Sequence, residues 1–428
     1  MKSFIYLFTA VFVIVLSFGC EKFDGFPEGN TTDKEDMGDL VVNENFNWKT
    51  TYNIKVRLPA GIPKDGSTIY IVDKQHLYYK GPANRLFYPL TVPSYVDTLG
   101  IKVKTYNPFK PKTKNTKAAD SDGDGVKDNK DDFPNDPYRA YVNYFPISGK
   151  GTLLYEDLWP SKGDYDFNDV VVDYQFETIT NANDNVVEVN GNFVLKAIGG
   201  GYHNAFAFEL PYLSPNQVIN VSGYQVSNPL FNIASNGVES GQSSLNVIVF
   251  DDGYNVLQHP GGGTGINVDH SMTYVQPDSV QISMVFMQNG QSAPGGPITT
   301  WDLSIDYFDP YIVANVNNDG RGREIHLPGE MPTDLADTSY FNTNDDDTDE
   351  WAYSWGSTSK PKMFWMKTYE TQNNYPWDLN IYHSFDYKTE KNDIIQGYLK
   401  FQNWAENGSN TNWYKINNPA FRNNQYIY

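Results

Sequence analysis

The stretch Asp120-Ser-Asp-Gly-Asp-Gly-Val-Lys-Asp-Asn-Lys-Asp131, continued by Asp132-Phe-Pro-Asn-Asp136-Pro137, limits what this chain can fold into more than any other. Prolines on both sides, in Asn107-Pro-Phe-Lys-Pro-Lys112 and Phe133-Pro-Asn-Asp-Pro137, keep the flanks out of helix. Seven aspartates between Asp120 and Asp136 must therefore share a compact loop, where their charges repel unless a cation sits among them. Oxygen side chains fall at the first, third, fifth, ninth and twelfth places (Asp120, Asp122, Asp124, Asp128, Asp131), glycine at the sixth and the Val126 carbonyl at the seventh. That is the ligand order of a calcium loop. Zinc would want Cys or His. The last ligand is Asp131 where an EF-hand has glutamate, so the expected affinity is weak, about 0.1–1 mM. A solvated acidic linker is the bland alternative, and the regular spacing by two argues against it. These residues resemble a thrombospondin type 3 calcium repeat, in which such loops run without helices.

Met1-Lys2-Ser3 and the apolar run Phe4–Phe18 read as an export signal, too short for a comfortable membrane span. Ser17-Phe-Gly-Cys20 resembles a bacterial lipobox, with Ser17 where leucine is usual. Cys20 is the sole cysteine, so an internal disulfide is excluded and lipidation is the expected fate. The chain is thus expected to be an exported outer membrane lipoprotein, displayed at the cell surface on a flexible polar tether over residues 20–40. A net charge of −20 argues against nucleic acid as a partner.

With 428 residues, 39% of them hydrophobic, the chain can build one large or two to three modest domains. Alternating or β-branched runs at 52–58, 68–72 and 99–106, separated by turn residues, predict a small immunoglobulin-like sandwich over 41–106. A basic linker, 107–119, leads into the loop at 120–137. A second acidic passage follows in Gly151-Thr-Leu-Leu-Tyr-Glu-Asp-Leu-Trp-Pro-Ser-Lys-Gly-Asp-Tyr-Asp-Phe-Asn-Asp-Val-Val-Val-Asp-Tyr174. Asp164, Asp166 and Asn168 repeat the spacing of two, Asp169 follows, and Glu156, Asp157 and Asp173 lie near in sequence. These groups either form a second calcium cage between strands or cap turns by bonding to backbone.

The DxDGDGxxD loop, FPNDP and EDLWPSKGDYDFNDVVVDY, in that order, resemble the LruC-domain lipoproteins of Gram-negative bacteria. The likeness continues in Arg323–Thr333, Tyr375–Ile381 and Asp393–Trp404. The resemblance implies a calcium-associated, β-rich surface protein and carries over no catalytic residues.

Over 138–428 the chain reads as one large β-sandwich or jelly roll, with strands at 192–197, 205–210, 245–250, 280–286 and 301–308. One helix is expected near 393–408, with Asp393 and Gln396 as a variant capping box, Gly408 as its stop, and Ile394, Tyr398, Phe401 and Trp404 facing a sheet. The fold class is all-β. No GxSxG, HExxH, Walker or CxxC motif occurs, and the six histidines show no metal spacing. Asp251-Asp252 and Asp345–Glu350 read as acidic turns, the latter also a further calcium candidate. Trp351, Trp355, Trp365 and Trp377, interleaved with Tyr353, Tyr369 and Tyr375, suit either sugar stacking or core packing. The function expected from the sequence is a calcium-binding, noncatalytic module for a surface glycan or protein. A glycan hydrolase using two carboxylates and a purely structural envelope component are the alternatives.

Overall fold

The computed structural model describes residues 34, 36–62, 67–96, 98–104, 119–147, 149–348, 367–415 and 419–428. The signal, Cys20, the basic linker 107–118, Trp351, Tyr353, Trp355 and Trp365 lie outside these residues. No helix among the described residues is long and apolar enough to cross a membrane.

The chain is all-β, and its strands pair antiparallel. Five strands form the N-terminal unit: β1 Thr51–Arg57, β2 Thr68–Val72, β3 Leu77–Pro82, β4 Phe87–Pro93 and β5 Gly100–Lys104. β1 pairs with β4, and β3-β2-β5 make a second sheet. Ile69 and Ile71 of one sheet and Val56, Tyr88 and Val92 of the other close a shared core. This unit begins later than expected. Met37 and Trp48 are 0% and 4% exposed and pack with the C-terminal segment, so residues 36–50 belong to the body, including Met37–Leu40, which the sequence reading placed in the tether. Their apolar side chains gain more by burial there than by solvation in a tether.

The body contributes β6 Tyr141–Phe145, β7 Gly151–Tyr155, β8 Val170–Thr180, β9 Val186–Ala197, β10 Ala205–Leu210, β11 Asn220–Ser222, β12 Leu245–Phe250 and β13 Asp278–Val285. A two-residue hairpin follows (β14 Met287–Gln288, β15 Gln291–Ser292), then β16 Asp309–Val313, β17 Glu324–His326 and β18 Asp378–Ile381. One sheet runs β11-β13-β9-β8-β7-β18, with β6 also on β8, and the other runs β12-β10-β16-β17. Phe176, Phe193 and Ile282 of the first meet Phe206, Phe208 and Val247 of the second in the main core.

The outer face of the first sheet is covered as well, where Leu154, Val171 and Ile381 pack under Ile394, Phe401, Trp404 and Trp413. β7 is therefore buried along its whole length, whereas β13 alternates buried and open positions. That is the difference expected between a strand covered on two faces and one covered on one.

Two elements differ from the sequence reading. Trp301–Phe308 is not a strand but a helical turn, Thr300–Leu303, followed by a 3-10 turn, Ile305–Tyr307. Thr299 and Asp302 form a capping box that satisfies the first helical N–H groups, which an edge strand could not offer. The C-terminal helix is two pieces, Ile394–Gly397 and Phe401–Asn407. Between them Leu399 donates to the Phe421 carbonyl and Tyr398 bridges Arg422, so pairing with the chain end displaces the helical bonds. Asp393 caps through the Ile395 N–H, and Gly408 ends the second piece in the left-handed region.

Candidate metal centres

The first centre is the Asp120 loop. One carboxylate oxygen each of Asp120, Asp122 and Asp124 lie within 4.8 Å of one another. Two ligands of a single calcium ion are at most about 5.2 Å apart, so one ion can reach all three. The loop is shaped by its own turns: the N–H groups of Gly123, Asp124, Val126 and Phe133 donate to Asp120, Asp122, Asp124 and Asp131 at 2.8, 3.2, 2.7 and 2.7 Å. Each turn uses one oxygen. The second oxygens of Asp122, Asp124 and Asp131 are buried and have no hydrogen-bond partner. Burial, together with the charges of Asp124 and Asp122, pushes Asp131 up to about 6.

Asp128 differs, because both its oxygens accept from Ser121, through N–H and hydroxyl, each at 2.8 Å. It braces the loop, and any contact with an ion there would run through water, as the ninth position of such loops often does. Val126 plugs the loop into a small cluster with Ala140 and Tyr141. Asp132 then ties the loop to the N-terminal unit, one oxygen on Lys80 Nζ at 2.6 Å and the other on the Val142 N–H at 3.0 Å.

The second centre occupies the excursion between β7 and β8. Glu156 leaves β7 with its N–H on the Trp377 carbonyl, and Asp169 returns with its N–H on Tyr155, so the two ends of the loop close beside each other. Carboxylate oxygens of Glu156, Asp164 and Asp166 come within 4.8 Å of one another. Glu156 and Asp166 are 1% and 2% exposed. At that spacing each like-charged pair costs about 3.5 kcal/mol at an effective dielectric of 20. Burial, reinforced by the neighbouring carboxylates, drives Glu156, Asp166 and Asp169 well above the ordinary carboxylate range. Lys388 offsets this charge only in part, although Asp393 and Asp166 favour its protonation. Its Nζ is buried without a hydrogen-bond partner, and burial pushes it down to about 7.

The backbone is bent to make this loop. Tyr165 and Phe167 have φ of 58° and 54°, a conformation bulky side chains avoid, and their rings are held in the outer core. Gly163 is required by space, since a Cβ there would come within 1.6 Å of Glu156 Oε2.

Of the four residues the spacing singled out here, Asp164 and Asp166 converge, with Glu156 joining them from the other end of the loop. Asp166 also accepts the Lys391 N–H at 2.7 Å, and Asp169 accepts the Asp157 N–H at 2.9 Å while Asn204 donates to Asp157 at 2.8 Å. Asn168 gives its amide N–H to the Lys388 carbonyl at 3.3 Å and keeps a buried, unpartnered oxygen. Oxygen donors alone line both centres, the chemistry of a hard divalent cation.

Other acidic and aromatic stretches resolve differently. Asp346 accepts Trp159 Nε1 at 2.9 Å and Asp251 accepts the Asn228 N–H at 2.6 Å, so both serve turns. Trp377, Tyr369 and Tyr375 are core residues. Sequence reasoning missed His326, which is fully buried with Nδ1 2.8 Å from Asp309 and Nε2 3.0 Å from Glu324. Burial opposes its charge, yet the two carboxylates outweigh this and raise it to about 10.

Fold and sites define an antiparallel β-sandwich protein carrying two oxygen-lined acidic loops, one beside its N-terminal unit and one at the end of its main sheet. Residues 184–414, more than half of the chain, match the family described as Domain of unknown function (DUF4842), and the chain belongs to that family. The matched region begins beyond both acidic loops. No protein with a curated description matches the chain. Among solved structures, a crystal structure of a Bacteroides ovatus protein provisionally described as a lipoprotein is similar, at 13% identity and a TM-score of 0.49, over 93% of this chain and 97% of that one.

Proposed function

We propose that the protein is a lipid-tethered, exported surface module of the LruC-like kind, noncatalytic, which uses calcium at two structural sites to hold a binding face in shape. The convergence of Glu156, Asp164 and Asp166, two of them buried and Asp164 open to solvent, carries this reading. A site that keeps two of its three carboxylates buried suits an ion that holds the fold rather than one that meets substrate. Calcium would also fill the unpartnered oxygens of the Asp120 loop, which the Asp132 clasp connects to the N-terminal unit. Tethering rests on the Met1–Cys20 sequence. The test is melting and limited proteolysis of the full mature chain. Calcium at millimolar concentration should raise the melting temperature and protect the 120–136 segment, and EDTA should reverse both. Identical melting curves and digestion patterns in the two conditions would refute the proposal.

The binding face is a small cleft between the N-terminal unit and the body, with a cavity of about 90 Å3. That is below the roughly 300–1,000 Å3 of ordinary enclosed ligand sites, so a ligand would lie across the mouth of the cleft rather than inside it. Trp301 and Tyr144, 43% and 47% exposed, line it beside Asp306 and Arg85. Open aromatic rings next to polar groups suit the C–H face and hydroxyls of a neutral sugar. On an array of neutral glycans the protein is expected to retain at least one, and Trp301→Ala should weaken that binding about tenfold or more, the roughly 1.4 kcal/mol of a lost stacking contact. Binding unchanged by the substitution would remove the cleft from the proposal.

A further inference from the structure

The cavity beneath the mouth of the cleft carries a charge that a neutral sugar leaves unused. Two charged residues, Arg85 and Asp306, stand among the described residues of its lining. Arg85 is already compensated. Its Nη2 lies 2.5 Å from Oδ2 of the buried Asp184, which also accepts from the Thr300 and Tyr79 hydroxyls at 3.0 and 3.1 Å, so the positive charge is spent inside the joint between unit and body. Asp306 lies 2.6 Å from the Thr91 hydroxyl, and no cationic side chain among the described residues pairs with it. Burial pushes its carboxyl up from the ordinary range, and hydrogen bonds alone, chiefly that of Thr91, pull it back. The cavity is left with one net negative charge.

Aromatic rings make up much of the remaining wall, in Tyr78, Tyr79, Tyr88, Tyr144, Trp301 and Tyr382. The hydroxyls of the first four are engaged elsewhere. Tyr78 donates to Asp73 at 2.9 Å, Tyr79 to Asp184, Tyr88 to the Pro82 carbonyl at 2.9 Å and Tyr144 to Glu177 at 2.8 Å. These residues therefore offer the cavity ring carbon rather than hydroxyl, and ring faces attract cations. Size narrows the occupant further. About 90 Å3 exceeds what one water needs and falls short of the about 150 Å3 that takes a benzene, so the space suits a head group of a few heavy atoms. A bare metal ion would want several more oxygens. An anion would meet Asp306, and an uncharged apolar group would cover that carboxylate without answering its charge.

We propose that the cavity takes an organic ammonium head group, with Asp306 as its counter-charge and the aromatic wall around it. The same chemistry is presented by a quaternary amine of the choline kind and by an amino sugar lying across the mouth. This rests on the cleft being a binding face, and not on its ligand being a neutral sugar.

The test is titration calorimetry of the full mature chain in two arms, choline against its uncharged carbon isostere and glucosamine trimer against its N-acetylated counterpart. In at least one arm the charged member should bind about tenfold or more tighter than its counterpart, and that arm names the source of the ammonium. Asp306→Asn keeps an oxygen for Thr91 and removes the charge. It should abolish the preference and leave binding of the uncharged members unchanged. Trp301→Ala, on the open rim, should weaken the charged member more than the uncharged one, and carries the comparison if Asp306→Asn melts early. Equal binding within both arms, or a preference that survives both substitutions, overturns the proposal. Neutral glycans retained without any preference for charge would sink this inference and leave the sugar reading standing, whereas a charge preference with no neutral glycan retained would do the reverse.

Discussion

Replacing His326 by leucine is expected to destabilise the protein by about 3–5 kcal/mol, the usual consequence of removing one partner from a buried ion pair. The ring lies between Asp309 and Glu324, stacked 4.4 Å from Tyr311, and is fully buried. Leucine fills the space and leaves the Asp309 carboxylate with no counter-charge. Glu324 is less affected, because it still accepts from Arg321 and from the Thr333 N–H and hydroxyl at 2.9 and 2.6 Å. The double variant His326→Leu with Asp309→Asn should therefore recover part of the loss. Urea denaturation of the three proteins measures it, and strict additivity would show that the pair does not act as a unit.

The same network sets a pH signature. His326 is raised to about 10, so its contribution is complete below its unfolded value near 6.5 and is lost as the pH climbs through about 10. Glu324 runs the other way. Burial opposes its ionisation, but the Arg321 charge and bonds from His326 hold it down to about 2, so its contribution is present above about 4.5 and lost as the pH falls through about 2. Wild-type melting temperature should fall between pH 7 and 10, and the fall should be shallower in His326→Leu.

Glu156→Gln is expected to reverse its effect according to the medium. Glutamine keeps an oxygen for the Phe167 N–H, which Glu156 Oε1 accepts at 2.7 Å, and removes one charge from the cage. Without calcium the variant should melt above wild type, since it loses two repulsive pairs within the cage. With calcium it should melt below, having forfeited a ligand and with it the ~2.7 kcal/mol that an ion at 100 times its Kd supplies. Asp131→Asn in the same chain should remove the remaining response, which belongs to the Asp120 loop. Calorimetric scans in EDTA and in 5–10 mM calcium, or about that range, decide it, and curves that shift equally in both media would mean the cage holds no ion.

The Asp120 loop could be read from the chain because all its oxygens fall within one short segment, and spacing alone describes so local an object. Strands 205–210 and 245–250 were legible for a similar reason, being apolar runs bounded by turn residues. The cage was half visible. Asp164 and Asp166 stand out by their spacing, whereas Glu156 reaches them only because β7 and β8 pair and bring the two ends of the excursion together. Lys391, which donates to Asp166, comes from 225 positions away. His326 was illegible for the same reason: its partner Asp309 lies on the neighbouring strand, and no periodicity marks a pairing set by sheet register. Trp301–Phe308 was misread because its apolar and polar residues alternate like a strand, and the capping pair Thr299 and Asp302 was overlooked.

The way the amino end is fastened has a mechanical consequence. The Met37 N–H bonds to Asp393, the Tyr375 hydroxyl to the Leu40 carbonyl, and the Trp48 indole to the Asn374 carbonyl. A pull applied upstream of Met37 is thus received first by the segment that ends the chain, and passes through Asp393 and the strand at 378–381 into the main sheet. The five-stranded unit at 51–104 hangs to the side of that route. Tension would pass it by, leaving the bonds that seat it on the body, such as Tyr79 to Asp184 and Thr91 to Asp306, unloaded while the body bears the strain.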